Sequence, residues 1–281
     1  MAGRWFAKRF PRRLTSDPSA LARMAWNPSY RAPHPSELLD PDPFVSPGPP
    51  PMTPHERALL DAVLADPDAD EPRLRYAEWC DRQGDPRGEF IRSQIEEFHR
   101  GGRREEDRGV KDGLELNSSS APSAPSAVNR FLQMLAPWSA RDVVFRRGFA
   151  EAMSLAGRAF ISISDGLFRT TPLRDVRLVA VAPYMDELAQ APNLTKLDRL
   201  DLSGNRIGPT GVRELTNSPH LTRLRELDLT ANDLDDDTAA ALAGSPHLDG
   251  LSVLRIANNP GLTAGTVEAL RDRFGEGVLL R

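Results

Sequence analysis

Apolar residues recur in a fixed pattern along the C-terminal third of the chain. Three consecutive segments carry leucine or isoleucine at the first, fourth and sixth positions and asparagine at the ninth. These segments begin at Leu197, Leu224 and Leu251. Their asparagines are 27 residues apart, a period typical of repeats that stack into a solenoid. Leu173 begins a weaker copy, and Met153 and Leu155 indicate a first one, so about five short strands are predicted.

The asparagine that ends each copy lies where the chain leaves the strand. Its amide side chain can bond backbone groups that the turn leaves unpaired. A ladder is therefore predicted along the solenoid at Asn205, Asn232 and Asn259. The segments between strands have helical patterns at residues 209–215, 236–242 and 264–270. Together they predict an α/β solenoid with short parallel strands on the concave face and helices on the convex face.

Residues between the inward leucines point away from the core and form rows across neighbouring strands. Three rows are predicted: Asp175, Arg199, Glu226 and Val253; then Arg177, Asp201, Asp228 and Arg255; then Val179, Ser203, Thr230 and Ala257. We expect the charged rows on the concave face to bind a protein. If that partner is basic, the adjacent Asp201 and Asp228 are its natural contact. The alternative is a charge lattice that supports the sheet modestly. Because the rows lack aromatic residues, nucleic-acid binding there is disfavoured.

Residues 52–100 carry the pattern of three short helices. Thr53 and Glu56 form a capping box, with Pro54 at the first helical position. Asp70 is predicted to cap the second helix, whose buried face would hold Leu74, Ala77 and Cys80. Asp85 and Pro86 begin the third helix. Such a small unit is close to the lower size limit for independent stability, so we expect it to pack against another part of the chain.

The same region resembles the small repeat-companion domain that precedes leucine-rich repeats in some bacterial proteins. The matching segments are Glu56–Leu60, Asp66–Pro67, Pro72–Leu74, Tyr76–Trp79 and above all Gly84–Ile91. Phe145–Phe149 resembles the strand that opens the repeat region of that family, and Arg273–Gly275 resembles its usual end. The repeats themselves resemble the ribonuclease-inhibitor type of leucine-rich repeat. The resemblance implies no established enzymatic activity, and it implies protein binding by the repeats only by analogy.

The remaining segments differ in composition from these two regions. Twelve of the 25 prolines lie at or before Pro54, so residues 1–51 are predicted to be an extended N-terminal extension that folding does not require. Residues 101–128 are rich in charge, serine and proline and are predicted to be a flexible linker before a repeat domain over 129–281. One more short helix is indicated by Phe131, Leu132, Met134 and Leu135.

Overall charge gives the chain no general affinity for nucleic acid or anionic membranes, since its net charge is −4. An alternative function, a nucleic-acid or membrane-surface tether, would use the basic and aromatic residues Arg4, Trp5, Lys8, Arg9, Arg12 and Arg13. No apolar stretch follows Arg13, so these residues do not resemble a secretory signal, and we expect a cytoplasmic protein. The chain has 33 arginines and three lysines, which is typical of GC-rich coding and favours a bacterial source.

Candidate chemistry is sparse along the sequence. The single cysteine, Cys80, excludes an intrachain disulfide and a zinc site built on several thiolates. It has acidic neighbours and no nearby histidine, so we interpret it as a core residue rather than a nucleophile. Residues 235–237 are three aspartates, interpreted as a helix cap rather than a calcium site. An enzyme in the helical region stays open as a second alternative, but no cofactor, metal or catalytic set is predicted.

Overall fold

The computed structural model describes residues 52–105, Leu135 and residues 140–279. Residues Met52–Arg281 form one compact unit. The tether residues between Arg4 and Arg13, the rest of the N-terminal extension and most of the linker lie outside the described residues. Leu135 is helical and buried, and it is the described part of the short helix indicated by the sequence.

Three helices pack together at the N-terminal end of this unit. They are α1 (Pro54–Ala65), α2 (Asp70–Arg82) and α3 (Arg87–Glu105). The Thr53 hydroxyl accepts a hydrogen bond from the Glu56 N–H at 3.1 Å, as the capping box predicts. The prediction that Asp70 caps α2 is wrong. Ala69 occupies that position without a side-chain cap, and the Asp70 carboxylate contacts Nε2 of His99 at 2.6 Å, which links α2 to α3.

The buried face of α2 differs from the predicted one at its start. Ala77 and Cys80 are buried as expected, whereas Leu74 is exposed. Arg73 and Tyr76 are fully buried in its place. The stripe therefore begins at an arginine, which can lie inside only because the chain provides hydrogen-bond acceptors for its guanidinium.

In the described part of the chain, one sheet of seven strands follows the order of the sequence. The strands are β1 (Arg141–Arg146), β2 (Phe149–Ala156), β3 (Asp175–Val179), β4 (Arg199–Asp201), β5 (Glu226–Asp228), β6 (Val253–Arg255) and β7 (Val278–Leu279). Strands β2 to β7 are parallel, and β1 pairs with β2 in the antiparallel sense. The repeat pattern indicates β2 to β6; β1 and β7 extend the sheet at its two ends.

The segment from Phe145 to Phe149 is a hairpin turn and not the single strand that the resemblance implies. Arg147 and Gly148 connect β1 to β2 with φ values of 49° and 87°. Positive φ at both central residues is the turn geometry that suits a two-residue hairpin. A Cβ at Gly148 would lie 2.7 Å from the Ile91 Cα, so the turn packs directly on α3 and requires glycine there.

Helices return the chain between the parallel strands. They are α4 (Gly157–Thr170), α5 (Met185–Ala189), α6 (Gly208–Thr216), α7 (Asp236–Gly244) and α8 (Ala264–Phe274). Short 3-10 turns cover Ala182–Tyr184, Pro192–Lys196, Pro246–Leu248 and Gly275–Gly277. The repeat leucines, such as Leu200, Leu227 and Leu254, are fully buried between sheet and helices. Arg273–Gly275 ends the last helix, but β7 follows it, so the described fold extends slightly past the predicted end.

A left-handed residue follows each of three repeat strands at equivalent positions. Gly204, Ala231 and Asn258 have φ values of 70°, 56° and 54°. The left-handed conformation costs a residue with a Cβ about 1–2 kcal/mol.

We expect Gly204→Ala to lower the free energy of unfolding by about 1 kcal/mol in urea denaturation. A Cβ at this position meets only open space, so the backbone strain of the left-handed conformation is the main cost of the substitution. Ala231→Gly, its control, should not destabilise the protein; a loss there of similar size would contradict the argument.

Candidate protein-binding face

The strand register aligns the charged side chains of the concave face as the sequence predicts. Asp175 pairs with Arg199, Arg199 with Glu226 and Glu226 with Val253. The second row aligns Arg177, Asp201, Asp228 and Arg255 in the same way. Because neighbouring strands are about 4.8 Å apart, side chains within a row are close enough to interact.

Opposite charges on this face pair across the strands. The Arg255 guanidinium donates to the Glu226 carboxylate at 3.2 Å. The Arg177 Nε lies 3.8 Å from Asp201, and the Arg199 Nε lies 3.8 Å from Glu226. The two 3.8 Å pairs are longer than hydrogen bonds, so they are weak ion pairs that, among the described residues, leave the guanidinium N–H donors unused.

The two aspartates of the second row also stabilise the turns that follow their strands. Oδ1 of Asp201 accepts the Ser203 N–H, and Oδ1 of Asp228 accepts the Thr230 N–H, both at 2.9 Å. These equivalent bonds are Asx turns, in which the carboxylate replaces a backbone acceptor. Their position on the face therefore has a structural reason besides any contact with a partner.

Arg146 also belongs to this face, although the rows predicted from the sequence do not include it. It lies at the end of β1, and its guanidinium donates to the Asp175 carboxylate at 3.3 Å. Burial raises the pKa of Asp175, and the nearby Arg146 opposes that shift. The antiparallel pairing of β1 with β2 has a weak signal in the sequence, because Gly148 suits a hairpin turn but Arg147 is an unusual residue at positive φ. Leu279 of β7 extends the second row at the other end.

The three asparagines lie in the turns after the strands, and each bonds the preceding repeat. Oδ1 of Asn232 accepts the N–H groups of Asn205 and Ile207 at 3.2 and 3.3 Å, and its amide donates to the Leu202 carbonyl at 2.9 Å. Asn205 bonds Val181 and Leu178 in the same way. Equivalent bonds connect Asn259 with Asn232, Leu234 and Leu229. The amides thus replace backbone partners that the turns cannot provide.

A buried ion pair joins the helices to the first hairpin. The Arg73 guanidinium donates to the Glu151 carboxylate at 2.6 Å, and both side chains are almost fully buried. Arg73 also donates to the carbonyls of Arg146 at 2.9 Å and Pro67 at 2.6 Å. Burial raises the pKa of Glu151, while the guanidiniums of Arg73 and Arg147 oppose that shift. This pair, which the sequence pattern does not indicate, fixes the hairpin that carries Arg146.

The most motif-like segment of the helical region is held together by its own contacts. Arg87 donates to the Asp85 carboxylate at 2.9 Å and to the Tyr76 hydroxyl at 2.6 Å, and it lies 3.3 Å from Glu56. Burial raises the pKa of Tyr76, so its hydroxyl stays protonated. These contacts give Gly84–Glu89 a structural role in joining α1, α2 and α3.

Cys80 is fully buried, and burial raises the pKa of its thiol to about 12. The thiolate is the reactive species, so both accessibility and ionisation protect this residue. We expect no labelling of the native protein by a thiol reagent at pH 8 over hours, and one labelled thiol per chain after unfolding in guanidinium chloride. Rapid labelling of the native chain would contradict the placement of Cys80.

The aspartates at residues 235–237 lie at the start of α7. Oδ1 of Asp235 accepts the Thr238 N–H at 2.8 Å and caps the helix, which confirms the predicted cap. Asp236 accepts the Thr263 N–H at 2.9 Å and joins α7 to the next repeat. The Thr238 hydroxyl and N–H lower the pKa of the Asp235 carboxyl, and the Thr263 N–H lowers the pKa of the Asp236 carboxyl. Within residues 52–105 and 140–279, histidine, cysteine and acidic side chains form no group of three placed to hold a metal ion.

The lattice on the concave face should contribute little to stability. We expect Asp201→Asn to change the free energy of unfolding by well under 1 kcal/mol, because the ion pair that it removes is weak and the amide oxygen can still accept the Ser203 N–H. Thermal melting of the variant beside the parent measures this. A loss of several kcal/mol would mean that the charge pairs hold the sheet together.

Comparisons with known proteins bear on the repeats. No curated protein matches this chain. Among the described helices, none combines the length and the apolar character needed to cross a membrane. The family found is Leucine Rich repeat, at residues 193–215 and 218–243, and no enzyme family is found with it. These matches span β4, α6 and β5, so the centre of the solenoid consists of leucine-rich repeats.

Proposed function

We propose that this chain is a non-catalytic protein-interaction module that binds its partner on the concave face. The observation that carries the proposal is the set of charged side chains that four parallel strands, β3 to β6, present in register on one face. Leucine-rich repeats typically bind proteins, and such solenoids use their concave surface for this purpose.

Buried ionisable groups of the helices and of the first hairpin support a binding role over an enzymatic one. Cys80, Tyr76 and Glu151 are buried and have raised pKa values, and the Glu151 carboxylate is held by Arg73. A catalytic group has to reach a substrate in a suitable protonation state. These residues instead stabilise the packing of the helices.

The domain organisation and location are part of the same proposal. Residues 52–100 would be a repeat-companion domain, 101–128 a linker, and 129–281 the repeat domain of a cytoplasmic bacterial protein. Contacts of the helices with the hairpin support the companion role, because Phe149 of β2 packs in one cluster with Leu60, Tyr76 and Ile91. The helices thereby cover the end of the solenoid that would otherwise expose apolar surface.

The test blocks the face without changing its charges. Val179 lies on β3 with an exposed side chain, and Cys80 is buried, so Val179→Cys provides one reactive thiol for a long polyethylene glycol chain. Glu214→Cys on the convex helix α6 is the matched control. We expect the full-length bait to lose its partners from a cell extract when the thiol of Val179→Cys is modified. The bait should keep them when the thiol of Glu214→Cys is modified. Equal capture by both would contradict the proposal.

A further inference from the structure

The two signs of charge on the concave face differ in their exposure to solvent. The side chains of Arg177 and Arg199 are 51% and 43% exposed, whereas that of Asp201 is 16% exposed. Arg146 is 39% exposed above Asp175 at 24%, and Glu226 is 25% exposed. Arg255 is an exception at 24%, since it bonds Glu226. A partner that approaches the centre of the face therefore meets the guanidinium groups of Arg177 and Arg199 first, although the formal charges of the rows nearly cancel.

The carboxylates of the face have partners within the protein. Asp201 and Asp228 each accept a backbone N–H at 2.9 Å, and Glu226 accepts from Arg255 at 3.2 Å. Arg146 donates to Asp175 at 3.3 Å. These bonds occupy oxygen lone pairs and hold the carboxylates close to the sheet. The carboxylates are therefore poor first contacts for a basic partner.

In the described part of the chain, Arg177 and Arg199 at the centre of the face have unused N–H donors. Each guanidinium carries five N–H donors. The carboxylates nearest to Arg177 and Arg199 lie 3.8 Å away, beyond hydrogen-bond distance. Arginine at such a position favours bidentate bonds to a carboxylate, which are stronger than bonds between neutral groups.

We propose that the concave face binds an acidic, extended protein segment whose carboxylates bond Arg177 and Arg199. This inference rests on the proposed function and gives the chemistry of the partner. It replaces the basic partner at Asp201 and Asp228 that the order of charges along the sequence suggests.

The spacing of the two arginines agrees with an extended segment. Arg199 pairs with Asp175, so Arg177 is its diagonal neighbour on the adjacent strand. Parallel strands are about 4.8 Å apart and alternate residues of a strand are about 6.6 Å apart, so these diagonal neighbours are about 8 Å apart. Alternate residues of an extended chain lie on one side with a separation of about 6.6–6.8 Å. Acidic residues two apart in the partner therefore match Arg177 and Arg199.

A polyphosphate backbone fits this face less well than a protein. Nucleic acid carries a dense and uniform negative charge, which the carboxylates of Asp175, Asp201 and Asp228 beneath the arginines would repel. The charged rows also lack aromatic side chains on which bases could stack. A segment with a few carboxylates separated by neutral residues brings less negative charge near these aspartates and needs no stacking surface.

The experiment selects binders from a displayed library of random peptides against the full-length protein. We expect the selected peptides to be enriched in aspartate and glutamate at alternate positions. Arg177→Gln with Arg199→Gln should weaken their binding at least tenfold. The matched variant Asp201→Asn with Asp228→Asn should bind them as well as the parent or better. Both variants should melt normally, since they remove only weak ion pairs.

A further sample separates this inference from the proposed function. Modification of Val179→Cys with polyethylene glycol should abolish binding of the selected peptides, whatever their charge. Basic peptides that are lost on this modification and on the aspartate variant, but not on the arginine variant, would overturn the acidic partner and keep the binding face. Peptides insensitive to the modification, or no selected peptide at all, would contradict the proposed function itself.

Discussion

Replacing Arg73 by methionine should lower the free energy of unfolding by about 3–5 kcal/mol, the usual effect of removing one partner of a buried ion pair. Methionine keeps the length and apolar stem of the side chain, but it leaves the Glu151 carboxylate without its 2.6 Å partner. The carbonyls of Arg146 and Pro67 lose a donor as well. Urea denaturation of the full-length chain measures the loss.

Two controls show whether the charge or the volume is responsible. Arg75→Met on the same helix removes an exposed pair with Glu71 and should cost less than 1 kcal/mol. Arg73→Met combined with Glu151→Leu should recover much of the stability, because an apolar pair needs no compensating charge. If the double variant is no more stable than the sum of the two single losses predicts, Arg73 and Glu151 do not act as a pair.

Arg73→Met should also disturb the binding face, because Arg73 holds the hairpin that carries Arg146. Arg73 donates to the Arg146 carbonyl at 2.9 Å, and the side chain of Arg146 bonds Asp175 on the concave face. The helices therefore do more than cover the end of the solenoid, since they fix the strand that contributes one arginine to the face. Binding should therefore be measured on a chain that keeps the helices together with the repeats.

The repeats were predictable because one physical pattern occurs several times. Leu200, Leu227 and Leu254 occupy equivalent positions, and each lies fully buried on a strand where the alternation predicts it. Strand register also follows from the pattern, since a shift by one residue would turn every leucine to solvent. The rows of outward side chains could thus be assigned before the structure was known.

The buried ion pair could not be predicted from local pattern. Charged residues are almost never fully buried unless they are paired, so the apolar pattern places Leu74 in the core and gives no reason to bury Arg73. Glu151 shares its side of β2 with Met153 and Leu155, which is a signal that it lies inside. Its partner is 78 residues away in the sequence, and no short-range rule connects the two.

The chemistry of the face also depends on more than the order of its charges. Formal charge suggests Asp201 and Asp228 as an acidic contact, but a short side chain at the end of a strand can bond the next turn. A longer guanidinium side chain then extends above it. How far each charged group extends above the sheet depends on the length of its side chain and on its local hydrogen bonds. The order of charges along a row contains neither piece of information.

Asn232→Ala should destabilise the protein by about 1–3 kcal/mol, the cost of leaving buried polar groups unpaired. Asn232 is fully buried, and its carbonyl oxygen accepts the N–H groups of Asn205 and Ile207. Its amide donates to the carbonyls of Leu202 and Thr230 at 2.9 and 3.3 Å. Alanine removes every one of these bonds at once, so we expect the upper half of the range in urea denaturation.

Asn232→Asp should be at least as destabilising, although the two side chains have nearly the same shape. Aspartate retains the oxygen that accepts from Asn205 and Ile207, but it loses both amide donors and places a charge beside the Leu202 carbonyl. Asn205→Ala is the matched comparison, since Asn205 is only half-buried and should cost less. If both Asn232 variants were as stable as the parent, the amide ladder would contribute nothing, and the leucines alone would hold the repeats in register.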